Sequence, residues 1–283
     1  MKFDAKTREK LAFFILGMIA LIIILPIIGV IAYIIKNGAP GLSWEFLTQP
    51  PRNGMKEGGI FPAILGTIYL ILGTMVFSLP LGILAAIYLV EYARENWLTR
   101  TIKLAIINLS GVPSIVYGLF GFAMFVIFLK FGTSILAGSL TLAIMSLPVI
   151  ITATKEALEA VPKSFREISL SLGATKWQTI RYCVLPYSLP GILTGTVLAL
   201  SRAAGETAPI LFTVAAFYLP RLPRSMFDQV MALPYHLYVI STQIPNMPLS
   251  LSFATALVLI VLVFLMNLVS IILRAYFRKK KLW

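Results

Sequence analysis

One cysteine, one histidine and only 11 acidic residues among 283 limit what this chain can do. A lone Cys183 forms no disulfide within the chain, so no cross-linked framework holds it together. Cys183 and His236 together make too small a ligand set for a metal site of the usual kind. No G-x-x-x-x-G-K-[ST] run occurs, which excludes nucleotide binding through a phosphate loop of the chain's own. A nucleophile elbow and a zinc-protease helix are equally missing. No catalytic residue and no cofactor is expected here. The 24 basic residues are spread over separate loops with no single basic face, which argues against nucleic acid as a partner.

What the chain has is apolar length. Its residues are 59% apolar with a mean hydropathy of +0.91, which fits no ordinary soluble domain. Six stretches, at 11–35, 60–90, 104–129, 135–154, 190–218 and 250–273, each reach the roughly 20 residues a helix needs to cross a bilayer. The expected fold is an all-α polytopic membrane protein, a single domain over 1–283. The run from Leu11 to Ile35 is about twice the length of a signal-peptide core and no A-x-A-like site follows it, so it is expected to stay.

Charge alternates from loop to loop. Seventeen Lys and Arg fall in the N-terminal tail, 91–103, 155–189 and the C-terminal tail. Six fall on the other face: Lys36, Arg52, Lys56, Lys130, Arg221 and Arg224. The positive-inside rule then places both termini in the cytoplasm of a prokaryotic cell, with the inner membrane as location. Anionic membrane lipids are the natural partner of this charge.

Two outward segments follow from that orientation. Segment 36–59 holds Gly38, Pro40, Gly41, Pro50, Pro51, Gly54, Gly58 and Gly59 and predicts an irregular loop on the membrane surface. Segment 219–249 contains an amphipathic piece, Met226 to Tyr238, expected as a short interfacial helix bent at Pro234. Two readings fit these segments: a cap closing the bundle, or a landing surface for an external partner.

The soluble piece from Lys155 to Pro190 is richer. Ser164-Phe-Arg-Glu167 fits a capping box, and Thr175-Lys-Trp-Gln178 fits a second. Gly173 stands where a left-handed residue ends a helix. The spacing predicts one helix over 165–172 with Phe165, Ile168 and Leu172 on one side, and another over 176–184 ending at Leu185-Pro186. This helix–turn–helix carries an apolar stripe that needs a partner.

Glu167-Ile-Ser-Leu-Ser-Leu-Gly173, continuing through Ala174 to Cys183-Val-Leu185-Pro186, resembles the EAA loop of ABC importer membrane subunits. Glu167, Gly173, Leu185 and Pro186 fall on that pattern, while Ile168 and Ser169 replace its two alanines and Cys183 its isoleucine. The resemblance implies a loop that docks on an ATP-hydrolysing subunit through Ser164, Phe165, Glu167, Ile168, Leu172, Gly173, Ala174, Leu185 and Pro186. Glu167 also fits a purely local capping role, and Trp177 an interfacial anchor as well as an ATPase contact.

Arg202 and Glu206 lie inside the fifth stretch, spaced to pair on one helix face. A charge at the bilayer centre costs at least ~2.5 kcal/mol, so neither should face lipid. Pro209 presses on the carbonyl of Gly205, so the helix should kink or open beside the pair. Irregular backbone at that depth is tolerated where it is buried or lines a cavity. The pair is either a structural ion pair or an anion pathway, with Arg202 attracting, Glu206 tempering it, and Thr207, Ser201 and Thr194 adding hydroxyls. Gly191-x-x-x-Gly195 fits close helix packing.

Arg202-Ala-Ala-Gly-Glu206-Thr-Ala-Pro209 and Gly111-Val-Pro-Ser-Ile-Val-Tyr-Gly118 resemble signatures of phosphate-specific ABC permeases. Gly58-Gly-Ile-Phe-Pro-Ala-Ile-Leu-Gly-Thr67 and Ala232-Leu-Pro-Tyr-His-Leu-Tyr238 resemble the same group, and the A-type subunit more than its C-type companion. The resemblance implies the type I importer permease architecture and import of inorganic phosphate. It further implies a second homologous permease, an ATP-binding subunit dimer and an extracytoplasmic phosphate-binding protein as partners. Another oxyanion (sulfate, molybdate or tungstate), an ion-coupled carrier using Glu206, and a non-transporting assembly subunit are the alternatives. A carrier has no need of the double-capped loop, and no inverted repeat is visible in the sequence.

Overall fold

Apolar runs that leave water can satisfy their backbone groups only within themselves, and helices dominate the result. The computed structural model describes residues 5–279. Lys2, Lys280 and Lys281, counted above for orientation, lie outside the described residues. From the N-terminal side come α1 (Ala5–Gly38), α2 (Trp44–Thr48), a small hairpin of β1 (Pro51–Arg52) with β2 (Glu57–Gly58), and α3 (Phe61–Ile87). Then follow α4 (Trp97–Ser110), α5 (Ser114–Gly121), α6 (Ile135–Glu159), α7 (Lys163–Ser171), α8 (Lys176–Thr179) and α9 (Leu185–Gly205). The chain continues through α10 (Ala208–Thr213), α11 (Leu233–Thr242) and α12 (Leu249–Lys279). Three π-helical turns, Tyr88–Tyr92, Phe122–Phe128 and Ile180–Val184, extend α3, extend α5 and join α8 to α9.

Among the described residues, five continuous helical stretches have the length and composition of membrane spans. They take in the first, second, fourth and sixth predicted stretches. The third, expected as one rod over 104–129, is instead two arms, α4 and α5 with its π-helical extension, bent by 105°. Pro113 lies at the bend, and its ring disfavours a helical conformation at Val112. Pro113 itself is extended, with ψ 139. Hydropathy hides the bend because both arms are apolar.

The fifth stretch also differs from expectation. Its helix starts inside the loop at Lys176 and runs unbroken to Gly205, instead of covering 190–218. Pro186 does not stop it. The π-helical turn before it shifts the hydrogen-bond ladder, and the proline then occupies the first turn of α9, where no amide is required.

Helix α6 is the centre of the bundle, two-thirds buried, with α3 on one side and α9 on the other. Gly191 and Gly195 lie against the methyls of Ala157 and Ala153, so the small residues do serve close packing of α9 on α6. At the far edge, α1 leans on α12 with Tyr33 edge-on to Phe253 at 5.5 Å and is otherwise exposed.

Away from the 155–190 loop, the bundle end is closed by an ordered cap. Segment 36–59 is folded, not irregular: Ser43 caps α2 by accepting the Phe46 N–H, and Phe46 and Met55 are buried. They join Ile60, Ala63, Met231, Leu233, Val239 and Ile240 in one apolar cluster. The interfacial helix expected over 226–238 is displaced to Leu233–Thr242, with Pro234 in its first turn rather than at a bend. The 230–233 strip is buried against α3, where Thr67 Oγ1 accepts the Leu233 N–H at 2.8 Å.

Candidate functional site

The helix does open beside the charged pair. α9 ends at Gly205, Glu206 turns extended with ψ 131, and α10 restarts at Ala208 with Pro209 in its first turn. Arg202 Nε donates to Glu206 Oε1 at 3.2 Å. The Arg202 side chain is 44% exposed and that of Glu206 is 16% exposed. A guanidinium carries five N–H donors. Nε is the only donor engaged by a hydrogen bond among the described residues. The carboxylate thus holds the arginine by one edge and leaves its terminal nitrogens free.

Not every predicted neighbour joins the pair. Thr207 lies in the break itself, half-buried, and its hydroxyl has no hydrogen-bond partner among the described residues. Ser201 turns its hydroxyl to Asn267 of α12, a different side of the helix. Thr194 spends its hydroxyl on the carbonyl of Pro190.

Two residues without a predicted role come in from α5. Tyr117 is buried and donates to the Leu109 carbonyl at 2.7 Å. Gly118 faces the break: a Cβ there would sit 2.9 Å from the Ala208 carbonyl and 3.0 Å from Pro209 Cα. The third- and fifth-stretch motifs therefore pack directly on one another. The glycine was visible in the sequence, but its partner across 90 residues was not.

At the other end, the 155–190 loop forms the expected helix–turn–helix with altered details. Thr175 and Gln178 make a reciprocal capping box. Gly173, at φ 82, ends α7 in a left-handed turn. Its N–H donates to Leu170 and that of Ala174 to Ser169, which satisfies the last carbonyls. Ser169 and Thr179 hydroxyls meet at 2.9 Å and tie α7 to α8.

The first capping box does not form. Pro162 takes the cap position and α7 begins at Lys163, so Ser164 is already inside the first turn, exposed, and Glu167 is left without a cap to complete. The apolar stripe is split as well. Phe165 turns inward, edge-on to Tyr187 at 5.3 Å, and Leu185 packs in the same cluster. Ile168 and Leu172 point out, 58% and 83% exposed, with Glu167 and Pro186 also at the surface and Ala174 half-buried. Trp177 is 49% exposed.

Residues 78–282 match the family described as binding-protein-dependent transport system inner membrane component. A probable ABC transporter permease protein, YqgI of Bacillus subtilis, is 36% identical over 252 residues, covering 85% of each chain. The phosphate transport system permease protein PstA of Yersinia pestis is 36% identical over 251 residues, 87% of this chain and 82% of that one. Its probable counterpart in Methanocaldococcus jannaschii is 35% identical over 234 residues, 82% of both. Among solved structures, an inward-facing MetNI methionine ABC transporter superposes with a TM-score of 0.59 at 18% identity, over 77% of this chain and 94% of that one. A bacterial ABC transporter involved in alginate import superposes with 0.58 at 17%, over 93% and 96%. These structural likenesses establish the fold, the multi-pass helical architecture of a type I ABC importer permease.

Proposed function

Because the chain belongs to the family of binding-protein-dependent transport inner-membrane components, we propose that it is one pore-forming subunit of an ATP-driven importer of inorganic phosphate. The names of its relatives support the substrate class, and the observation that carries it in the structure is Arg202. A half-exposed guanidinium with free donors, set where two motifs meet at a helix break, suits a tetrahedral oxyanion. Glu206 tempers that attraction. Conduction needs binding weak enough to release, and a bare arginine would hold a divalent anion too tightly. The Glu206 carboxylate also accepts a hydrogen bond from a protonated phosphate oxygen, which a fully ionised oxyanion has no proton to offer.

Both termini and the 155–190 loop are then cytoplasmic, and the cap of 36–59 and 219–249 faces an extracytoplasmic binding protein. A second, homologous permease completes the pore. ATP is bound and hydrolysed by a separate pair of subunits that seat on α7, and their closure swings the access of the pore past Arg202 and Glu206. This chain itself requires no cofactor and no metal.

The test is phosphate uptake by proteoliposomes holding both permeases, the ATPase and the binding protein. Arg202→Gln should abolish ATP-dependent uptake while the complex still assembles. Unchanged uptake would make Arg202 structural. Suppression by sulfate or molybdate would move the substrate, and uptake that survives ATP depletion would point to an ion-coupled carrier.

A further inference from the structure

Arg166 lies on α7 and Glu91 at the end of the second span. In the folded chain they meet across 75 residues: Arg166 Nε and Nη2 both donate to Glu91 Oε1, at 3.0 and 2.7 Å. The same guanidinium donates from Nη1 to the Val161 carbonyl and from Nη2 to the Leu158 carbonyl, each at 2.9 Å. The Glu91 side chain is 8% exposed and that of Arg166 20%.

Each partner belongs to a different element. Glu91 sits on the π-helical turn that ends the second span. Leu158 is in the last turn of α6, the fourth span, and Val161 lies just beyond it. Arg166 itself is on α7. A cleft of about 490 Å³ opens between these elements, rimmed by Glu159, Lys163 and Glu167, so α7 does not simply lie flush on the span ends. One planar cation bridges the gap. Its charge also suits the carbonyl end of α6, the negative pole of that helix. A second link runs parallel to it, with Lys176 Nζ 4.9 Å from the centre of the Tyr92 ring.

We propose that Arg166 and Glu91 form a strut that makes α7 move the second and fourth spans directly, beside the covalent route through α8 into the fifth. This rests on reading the 163–186 loop as the coupling element. Two charge-assisted bonds to one carboxylate oxygen, with two more to carbonyls, hold one geometry, and a lysine at 166 has neither the fork nor the reach to serve the carboxylate and both carbonyls together. Glu91 lies on a π-helical turn, a local irregularity of a kind found frequently at functional sites. Arg166 and Glu91 are thus positioning residues for transport and touch no substrate.

The experiment uses the assembled complex in proteoliposomes, with Glu91→Gln and Arg166→Lys. Phosphate taken up per ATP hydrolysed should fall about tenfold, while assembly and basal ATP hydrolysis persist. Hydrolysis and uptake falling in proportion, or neither changing, would overturn the strut. A second measurement needs neither variant to be sound. In a Cys183→Ser background, spin labels at exposed Arg94 and Ser171 report the distance from the second-span end to α7. With Glu91 and Arg166 intact that distance should stay fixed when ATP binds, and a change would sink the proposal. Glu91→Gln should let the two labels part. If uptake by the unaltered complex proves independent of ATP, the coupling reading itself falls, and the strut with it.

Discussion

Arg202 and His236 show how differently two polar side chains are treated in one apolar bundle. Arg202 keeps its terminal nitrogens accessible at a break in the helix. His236 is 3% exposed, and its Nδ1 has no hydrogen-bond partner among the described residues. Burial pushes the His236 imidazole down from 6.5 to about 4, because the charged form has no water to solvate it. The unfolded chain takes up this proton near pH 6.5 and the folded chain only near 4, so stability is full above 6.5 and drains away as the pH falls between the two. The loss amounts to about 3 kcal/mol at most. Thermal unfolding in nanodiscs should show that slope, and His236→Phe should flatten it. The Asp228 carboxylate, held below its usual range by the N–H groups of Arg224 and Ser225, titrates below this window. A slope that survives the substitution would assign it to other groups.

At the level of elements, local chemistry was legible where its partners were near in sequence. The Thr175–Gln178 box and the Gly173 turn are satisfied within a few residues, and both form as read. Ser164 does not cap, because the helix is capped at Pro162 and so starts two residues too early for it. The contact between α5 and the α9–α10 break is of the other kind. Nothing near Gly118 in the chain says that the Ala208 carbonyl will sit over it. Gly118→Ala should force backbone against backbone at about 1–3 kcal/mol, the usual cost of overpacking. Because the strain falls at the break, uptake should drop more steeply than the melting temperature of the assembled complex. Equal loss of both would reduce Gly118 to a packing residue.

For the whole molecule, the question is which surfaces are left for other chains. α7 presents Ile168 and Leu172 to the outside while its Phe165 is already spent on Tyr187. Leu172→Asp should therefore leave the permease's own stability within about 0.5 kcal/mol, as exposed substitutions do. Its affinity for the ATPase should fall by about 2 kcal/mol or more, roughly 30-fold, as for an interface anchor. A binding isotherm with purified ATPase, set beside a melting curve of the variant, checks both halves. Unchanged affinity would mean that the ATPase seats elsewhere, with the cleft beside Glu167 the next surface to probe.

Membrane character, the capped turn at Gly173 and Thr175, and the presence of a charged pair beside a proline were all determined by the sequence itself. Each depends on composition or on residues a few positions apart, where solvation and hydrogen bonding act without regard to the rest of the chain. The 105° bend hidden in the third stretch, the start of the fifth span inside the loop, and the turning of Ser201 toward Asn267 were decided only by tertiary structure. So was the meeting of Arg166 with Glu91. The reason is physical: in a bundle apolar on nearly every side, hydropathy does not say which face of a helix meets which neighbour. Close approach at small residues and the pairing of a few buried charges make that choice.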